Sequence, residues 1–222
     1  MRRALDLFSG AGGCARGYQL AGYDVTGVDV RPQPRYAGDR FIQADAMDLL
    51  ADAAFLSQFD LVHASPPCQG YSTTRTYNSH AIGTHPMLIT DVRNALRSAG
   101  VPYVIENVMG ARDAMESPVM LCGVMFGLRL YRHRLFESSH PITALAHAEH
   151  VWRPAFRGCM PTGTQFVNFD HFTGRGEYRE MQHQAMGIDW MTNLELDQAI
   201  PPAYTRYLGL QMRNQIRERT SA

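Results

Sequence analysis

Between Ala4 and Val108, short apolar runs and helix-length segments take turns, and this alternation constrains the fold more than any other feature. Ala4–Phe8 reads as a strand, followed by the glycine-rich turn Ser9-Gly10-Ala11-Gly12-Gly13 and a helix over Cys14–Ala21 that stops at Gly22. Val25–Val30 is a second strand and Phe41–Ala44 a third, with a helix over Ala46–Leu56. Leu61–Ala64 is a fourth strand, Met87–Ala99 a helix stopped by Gly100, and Val104–Val108 a fifth strand. Strands alternating with helices specify an α/β fold whose parallel sheet is covered on both faces. After Gly110 the pattern changes. Val119–Phe126 is strongly apolar, Leu130–Glu137 follows, and residues 138–180 are irregular, with prolines at 141, 154 and 161. Met181–Trp190 has amphipathic helix spacing, and Pro201-Pro202 can occupy the first turn of a last helix running from Ala203 to about Arg219.

The chain has 222 residues, which suits one domain or one domain with a small appendage. It holds no run of 18 apolar residues, so no membrane span is expected. Asp6 interrupts the first apolar run, which argues against a signal peptide. Cys14, Cys68, Cys122 and Cys159 are widely separated and form no CxxC pair, so neither a zinc ribbon nor a disulfide frame is expected. A reduced, cytoplasmic protein is the simplest expectation. His147-x-x-His150 reads as surface histidines on a loop, and no metal is expected.

The net charge is zero, so there is no global signature of a nucleic-acid binder. All 21 basic residues are arginine. Arginine suits phosphates and base edges, but a gene whose base composition favours arginine codons gives the same result and is the simpler reading. Residues 129–179 form the one locally basic, aromatic stretch, with seven arginines against four acids.

Residues 65–72 read Ser-Pro-Pro-Cys-Gln-Gly-Tyr-Ser, directly after the fourth strand. Two prolines fix the backbone before Cys68 and Gly70 permits a turn after it. Such a setting presents a thiol at the mouth of a sheet, where a packing cysteine would not need it, and Cys68 is a candidate nucleophile. At the other end, a strand, a glycine turn and a helix make a nucleotide-binding hairpin. The spacing of Gly10, Ala11, Gly12 and Gly13 is neither that of a P-loop nor GxGxxG, and no lysine exists to serve a phosphate. Asp29, ending the second strand, suits a ribose diol, and Asp45, after the third, could accept from an adenine amine. Ribose and adenine without phosphate point to S-adenosylmethionine. Ordinary strand-end turns would also use such acids, but their shared place at the ends of adjacent strands favours the cofactor. Phe8, Val30, Ala46 and Pro66 flank these positions and complete the expected cofactor set.

Together these pieces resemble the DNA cytosine-5 methyltransferase family. Asp6-Leu-Phe-Ser-Gly-Ala-Gly-Gly13 is similar to its first motif, the octapeptide around Cys68 to its catalytic motif, and Glu106-Asn107-Val108 to its Glu-Asn-Val signature. Arg132-x-Arg134 is similar to its paired arginines, and Gln198-Ala-Ile-Pro-Pro202 with the following helix to its closing motif. The resemblance runs in order along nearly the whole chain and is that of a compact, bacteriophage-like member. It implies a Rossmann-like, S-adenosylmethionine-dependent methyltransferase sheet formed by residues 1–137 and 181–222, with a very small target-recognition region at 138–180. It also implies that the Cys68 thiolate adds to carbon 6 of cytosine, that Glu106 holds N3 and the exocyclic amine, and that Arg134, with Arg132, holds the base O2 and the glutamate. The partner implied is double-stranded DNA with the target cytosine flipped out, no membrane is involved, and a monomer is expected.

Three departures stand out. Leu130 occupies the place of a glutamine, Asp197-Gln198-Ala199 replaces the usual Gly-Asn of the closing motif, and the recognition region is short. A short region reaches few base edges, which predicts a site of about two to four base pairs. Arg153, Arg157, Arg175 and Arg179 are then expected to contact mainly phosphates. The same chemistry on RNA or a free cytosine nucleotide, or a non-catalytic binding module, are the alternatives. The latter would be expected to lack Cys68 or Glu106.

Overall fold

The computed structural model describes residues 1–71, 86–150 and 179–220. Its centre is a seven-stranded sheet: β1 (Arg2–Leu7), β2 (Tyr23–Asp29), β3 (Arg40–Gln43), β4 (Leu61–Ala64), β5 (Tyr103–Asn107), β6 (Val119–Leu121) and β7 (Arg134–Ser138). The strand order is β3-β2-β1-β4-β5-β7-β6. Strands β1 to β5 pair in parallel, whereas β7 runs antiparallel to both β5 and β6. The five parallel strands are the α/β sheet expected from the alternation of elements, and the whole agrees with the Rossmann-like sheet that the family resemblance implies. The hairpin of β6 and β7 was not resolved by the sequence pattern, because a short apolar run does not declare its direction.

The sheet alternation sorts side chains into two cores. Leu5, Leu7, Val62, Ala64, Tyr103 and Ile105 face helix α4 (Ile89–Ala99) and the short helices α2 (Ala46–Leu50) and α3 (Ala53–Leu56). Ala4, Val25, Leu61, Val104 and Phe136 face the opposite way, toward α1 (Gly13–Leu20) and α7 (Pro202–Thr220). A third, smaller core joins Ala11 and Leu130 to the segment holding α5 (Arg179–Met186) and α6 (Asn193–Gln198).

The single helix expected over Ala46–Leu56 is two helices. Asp52 breaks it, because its side chain accepts from the Phe55 amide at 2.9 Å and caps a new first turn. The helix expected over Met181–Trp190 begins earlier and ends at Met186, with Gly187 at its C-terminus.

The last helix returns to the first. A Cβ at Gly17 would collide with the Thr205 side chain and the Pro202 carbonyl, so the absence of one is what lets α7 lie against α1. The Thr205 hydroxyl donates to the Cys14 carbonyl at 2.9 Å within that contact. A buried fork fastens the other side: Arg93 on α4 donates twice to Glu137 on β7, at 2.6 Å each, and once to the Ala114 carbonyl at 2.7 Å.

Candidate active site

The chain leaves β1 toward β2 and β3, then returns to β4 on the other side of β1. Ligand crevices form outside the carboxyl ends of the strands at such a reversal. The glycine turn, Asp29, Asp45, the Cys68 segment and Glu106 all follow or end parallel strands, so all open on this rim. Because β7 is antiparallel, its first residue, Arg134, comes to the same rim.

Cys68 sits half-buried on a segment anchored at several points. The Ser65 amide donates to the Leu7 carbonyl at 3.2 Å, and the Asn107 side chain donates to the Pro66 carbonyl at 2.9 Å. After the cysteine, the Tyr71 amide donates to the Cys68 carbonyl at 2.9 Å, closing a turn. Asn107 of the Glu-Asn-Val sequence thus holds the loop that carries the thiol, while its neighbour Glu106 faces the opposite side of the sheet. Ser72 lies outside the described residues.

Glu106 is buried on β5, and Arg134 Nε lies 3.3 Å from its Oε1. The register explains the pairing. Phe136 stands opposite Glu106, and Arg134 is two residues away on the same face. Burial raises the Glu106 carboxyl above its ordinary value, against the opposing pull of Arg134, a Ser65 hydrogen bond and Arg132. Burial also raises the Cys68 thiol, and Glu106 adds to it, while Arg134 and Arg132 oppose. The resting cysteine is therefore a thiol whose acidity depends on the charges of Glu106 and Arg134.

A buried polar row lies behind this pair, on the α1 side of the sheet. Asp6 and His63 are register partners on β1 and β4. His63 is fully buried, with Tyr18 Oη at 2.9 Å from Nδ1 and Ser65 Oγ at 3.0 Å from Nε2. Its burial lowers its pKa to about 3, so it stays neutral. Asp6 is 1% exposed, and its Oδ2 has no hydrogen-bond partner among the described residues. Burial drives its carboxyl well above the ordinary range; a hydrogen bond from the Ala15 amide opposes this, and Asp29 and Glu106 add to it.

The glycine turn is braced by Asp29, whose two oxygens accept from the amides of Gly10 at 3.0 Å and Arg31 at 2.9 Å. Four lone-pair sites leave room for further donors. Gly12 has φ 85°, and a Cβ there would lie 2.8 Å from the Ala37 nitrogen. Phe8 also has a positive φ, 60°, an uncommon state for a bulky side chain that is found where a site over-determines the backbone. The Ala11 carbonyl accepts from the Trp190 indole at 2.9 Å. Val30 is 64% exposed, leaving an apolar surface beside Asp29. Asp45 caps α2 by accepting from the Met47 amide at 2.8 Å, while Ala46 and Pro66 are buried beneath the rim. Asp6, Asp29 and Glu106 cluster here with an orphaned acidic oxygen, and because a neighbouring cation favours the ionised form of buried carboxyls, the environment fits a cationic ligand.

The C-5 cytosine-specific DNA methylase family model matches residues 2–120 of this sequence. The chain belongs to that family. Among solved structures it is similar to the S. pombe Dnmt2 methyltransferase, at 15% identity and TM-score 0.57, over 97% of this chain and 99% of that one. It is also similar to a protein of an E. coli prophage described as a DNA modification methyltransferase, at 21% identity and TM-score 0.47, over 61% of this chain. The chain spans 45% of that protein's length. No curated protein matches.

Within this methylase-family chain, the departures noted above have structural counterparts. Leu130 is fully buried in the third core, so it packs rather than hydrogen-bonds. Gln198 is exposed, while Ala199 and Ile200 beside it pack against Gly13. Arg132 is buried and donates to the Asp197 carbonyl at 2.7 Å, and the Tyr204 hydroxyl donates to the Arg132 carbonyl at 2.6 Å. It thereby joins the arginine pair to the closing segment. His147 and His150 converge with His133 and Cys122. Most of the expected recognition region lies outside the described residues, including Arg153, Arg157, Arg175 and the side chain of Arg179.

Asp6, Tyr18, His63 and Ser65 were not singled out from sequence as site residues. A polar residue inside an apolar strand is the signal that could have found Asp6 and His63.

Proposed function

We propose that the protein transfers a methyl group from S-adenosylmethionine to carbon 5 of cytosine in double-stranded DNA, through a covalent Cys68 adduct to a flipped base. The observation that carries this reading is the meeting of Cys68 with the Glu106–Arg134 pair at the rim beside the glycine turn. Carbon 5 of cytosine is too weakly nucleophilic to take a methyl group unaided. Addition of the Cys68 sulfur to carbon 6 converts the ring to an enamine. Glu106, with its raised carboxyl pKa, donates toward N3 as negative charge builds there and accepts from the exocyclic amine. Arg134 steadies that glutamate and reaches the base O2. Once carbon 5 carries the methyl group, loss of its proton to solvent restores the ring double bond and expels Cys68 as the thiolate.

S-adenosylmethionine supplies an electrophilic methyl on a sulfonium centre. Gly10, Ala11, Gly12 and Gly13 would line its methionine portion, with Phe8 and Pro66 beside them. Asp29 would hold the ribose, and Val30, Asp45 and Ala46 the adenine. Asp29 and the buried carboxyls of Asp6 and Glu106, whose ionised forms a neighbouring cation would favour, suit a sulfonium there. Arg132 acts as a positioning residue. Residues 1–137 and 181–222 would form the catalytic domain and 138–180 the recognition region of a monomer working in the cytoplasm. Among the described residues no helix is long and apolar enough to cross a membrane.

Transfer of tritium from methyl-labelled S-adenosylmethionine to duplex DNA, RNA and dCMP tests this. Label in duplex DNA at carbon 5 of cytosine is expected. Label confined to RNA or dCMP overturns the substrate, and label in none overturns the activity.

A further inference from the structure

Cys122, His133, His147 and His150 offer one sulfur and three nitrogen ligand atoms that all lie within 4.8 Å of one another. They arrive from three places. Cys122 directly follows β6 and is fully buried. His133 directly precedes β7, and His147 and His150 lie beyond its far end, on the chain that enters the recognition region. Cys122 Sγ is 3.4 Å from His150 Nε2, and His133 Nε2 is 3.3 Å from His147 Nε2. For zinc–nitrogen and zinc–sulfur bonds of about 2.05 and 2.3 Å, a tetrahedral site has N–N edges of about 3.3 Å and N–S edges of about 3.6 Å. The His133–His147 separation matches this N–N edge, and the Cys122–His150 separation falls about 0.2 Å short of the N–S edge.

A proton shared within each pair would explain either distance alone. Ring contacts of His133 and His147 with His150, centroids 4.9 Å apart in each case, also hold the pairs together, and neither effect requires four ligand atoms to face one centre. The Tyr131 ring stacks on His150, with centroids 3.7 Å apart and planes 14° apart, which fixes the orientation of that imidazole. The donor set of one thiol and three imidazoles is that of a borderline-soft cation, and four protein ligands make a closed, structural site.

We propose that Cys122, His133, His147 and His150 bind a structural Zn2+ ion that clamps the start of the recognition region to the β6–β7 hairpin. Zinc takes up the Cys122 sulfur as thiolate, and the thiol proton passes to solvent. The clamp has a purpose in this chain. A recognition segment of some forty residues is too short to bury its own core, and small units of that size use metals as staples. His133 also directly precedes Arg134, so the ion would fix the backbone that presents the guanidinium to Glu106. The ligands are spaced too unevenly along the chain to match a standard zinc module, which is why the sequence pattern reads His147 and His150 as loop histidines and leaves Cys122 and His133 unassigned.

Full-length, tag-free protein tests this independently of methyl transfer. Elemental analysis should find one zinc per chain. After chelation, added Co2+ should produce the visible bands of a tetrahedral ion and a thiolate-to-cobalt charge-transfer band. Cys122→Ser should abolish the charge-transfer band. His147→Ala, at an exposed position, should weaken zinc binding by at least about tenfold while leaving the fold intact. No zinc uptake by the wild type, or wild-type affinity in His147→Ala, overturns the site. So does an undiminished charge-transfer band in a folded Cys122→Ser protein.

Discussion

Arg134 on the antiparallel strand β7 points its Nε at Glu106 on β5, 3.3 Å away, so one ion pair spans the two strands near the Cys68 thiol. Both side chains are largely shielded from water. Replacing Arg134 with Met keeps the stem and removes the cation. Methyl transfer should fall by about a hundred- to a thousandfold, the usual effect of removing one donor from a developing charge. The Cys68 thiol should also become harder to deprotonate, because Arg134 is the chief influence lowering its pKa. Iodoacetamide labelling of Cys68 against pH measures this directly, and the inflection should move to higher pH.

Glu106→Gln should separate reactivity from catalysis. Removing the negative charge favours the Cys68 thiolate, so alkylation of the free enzyme should quicken at neutral pH. Methyl transfer should fall by about two to four orders of magnitude because the proton for N3 is lost. A variant that slows both would contradict the assigned role.

The same substitution predicts a change in stability. The folded-state pKa of Glu106 lies above its unfolded value, chiefly through burial. Its contribution is therefore fully present below the unfolded pKa and is lost as pH rises through the folded one. Glu106→Gln should then be at least as stable as wild type at pH 7, with the difference shrinking toward pH 4. Asp6→Asn should behave alike, since its carboxyl is also raised by burial and has an unpartnered oxygen. Thermal melts across this range provide the measurement.

Much of this site was legible because its residues sit at strand ends marked by local signals. β4 was read with its observed bounds, since Asp60 precedes it and Ser65-Pro66 stops it. The polar row of Asp6, His63 and Ser65 was not legible, because it exists only once β1 and β4 pair side by side. The β6–β7 hairpin was hidden for the same reason, and with it the way β7 brings Arg134 to the rim. The break at Asp52 was a local capping signal that the apolar periodicity of Ala46–Leu56 masked.

The buried Arg93–Glu137 fork predicts an asymmetric mutational response. Glu137→Ala leaves the guanidinium desolvated and should cost about 3–5 kcal/mol. An Arg93→Met, Glu137→Leu double variant should cost markedly less, because neither charge remains to be solvated. Urea unfolding of wild type and the two variants decides it, and a double variant that loses as much stability as Glu137→Ala or more would contradict this reading.

Asp29→Ala should weaken S-adenosylmethionine binding by at least about tenfold, since one carboxylate both braces the glycine turn and would hold the ribose. Calorimetric titration of the folded variant against wild type measures it, and unchanged affinity would remove Asp29 from the cofactor site.

In the proposed reaction Cys68 becomes covalently bonded to a cytosine ring. Duplex DNA containing 5-fluorocytosine cannot release the enzyme, because fluorine replaces the proton whose loss expels the sulfur. With S-adenosylmethionine present, the wild-type protein should form a denaturation-resistant complex whose DNA is attached at Cys68, and Cys68→Ala should form none. Methylation of ordinary cytosine without any trapped complex, or a complex that survives Cys68→Ala, would contradict the account.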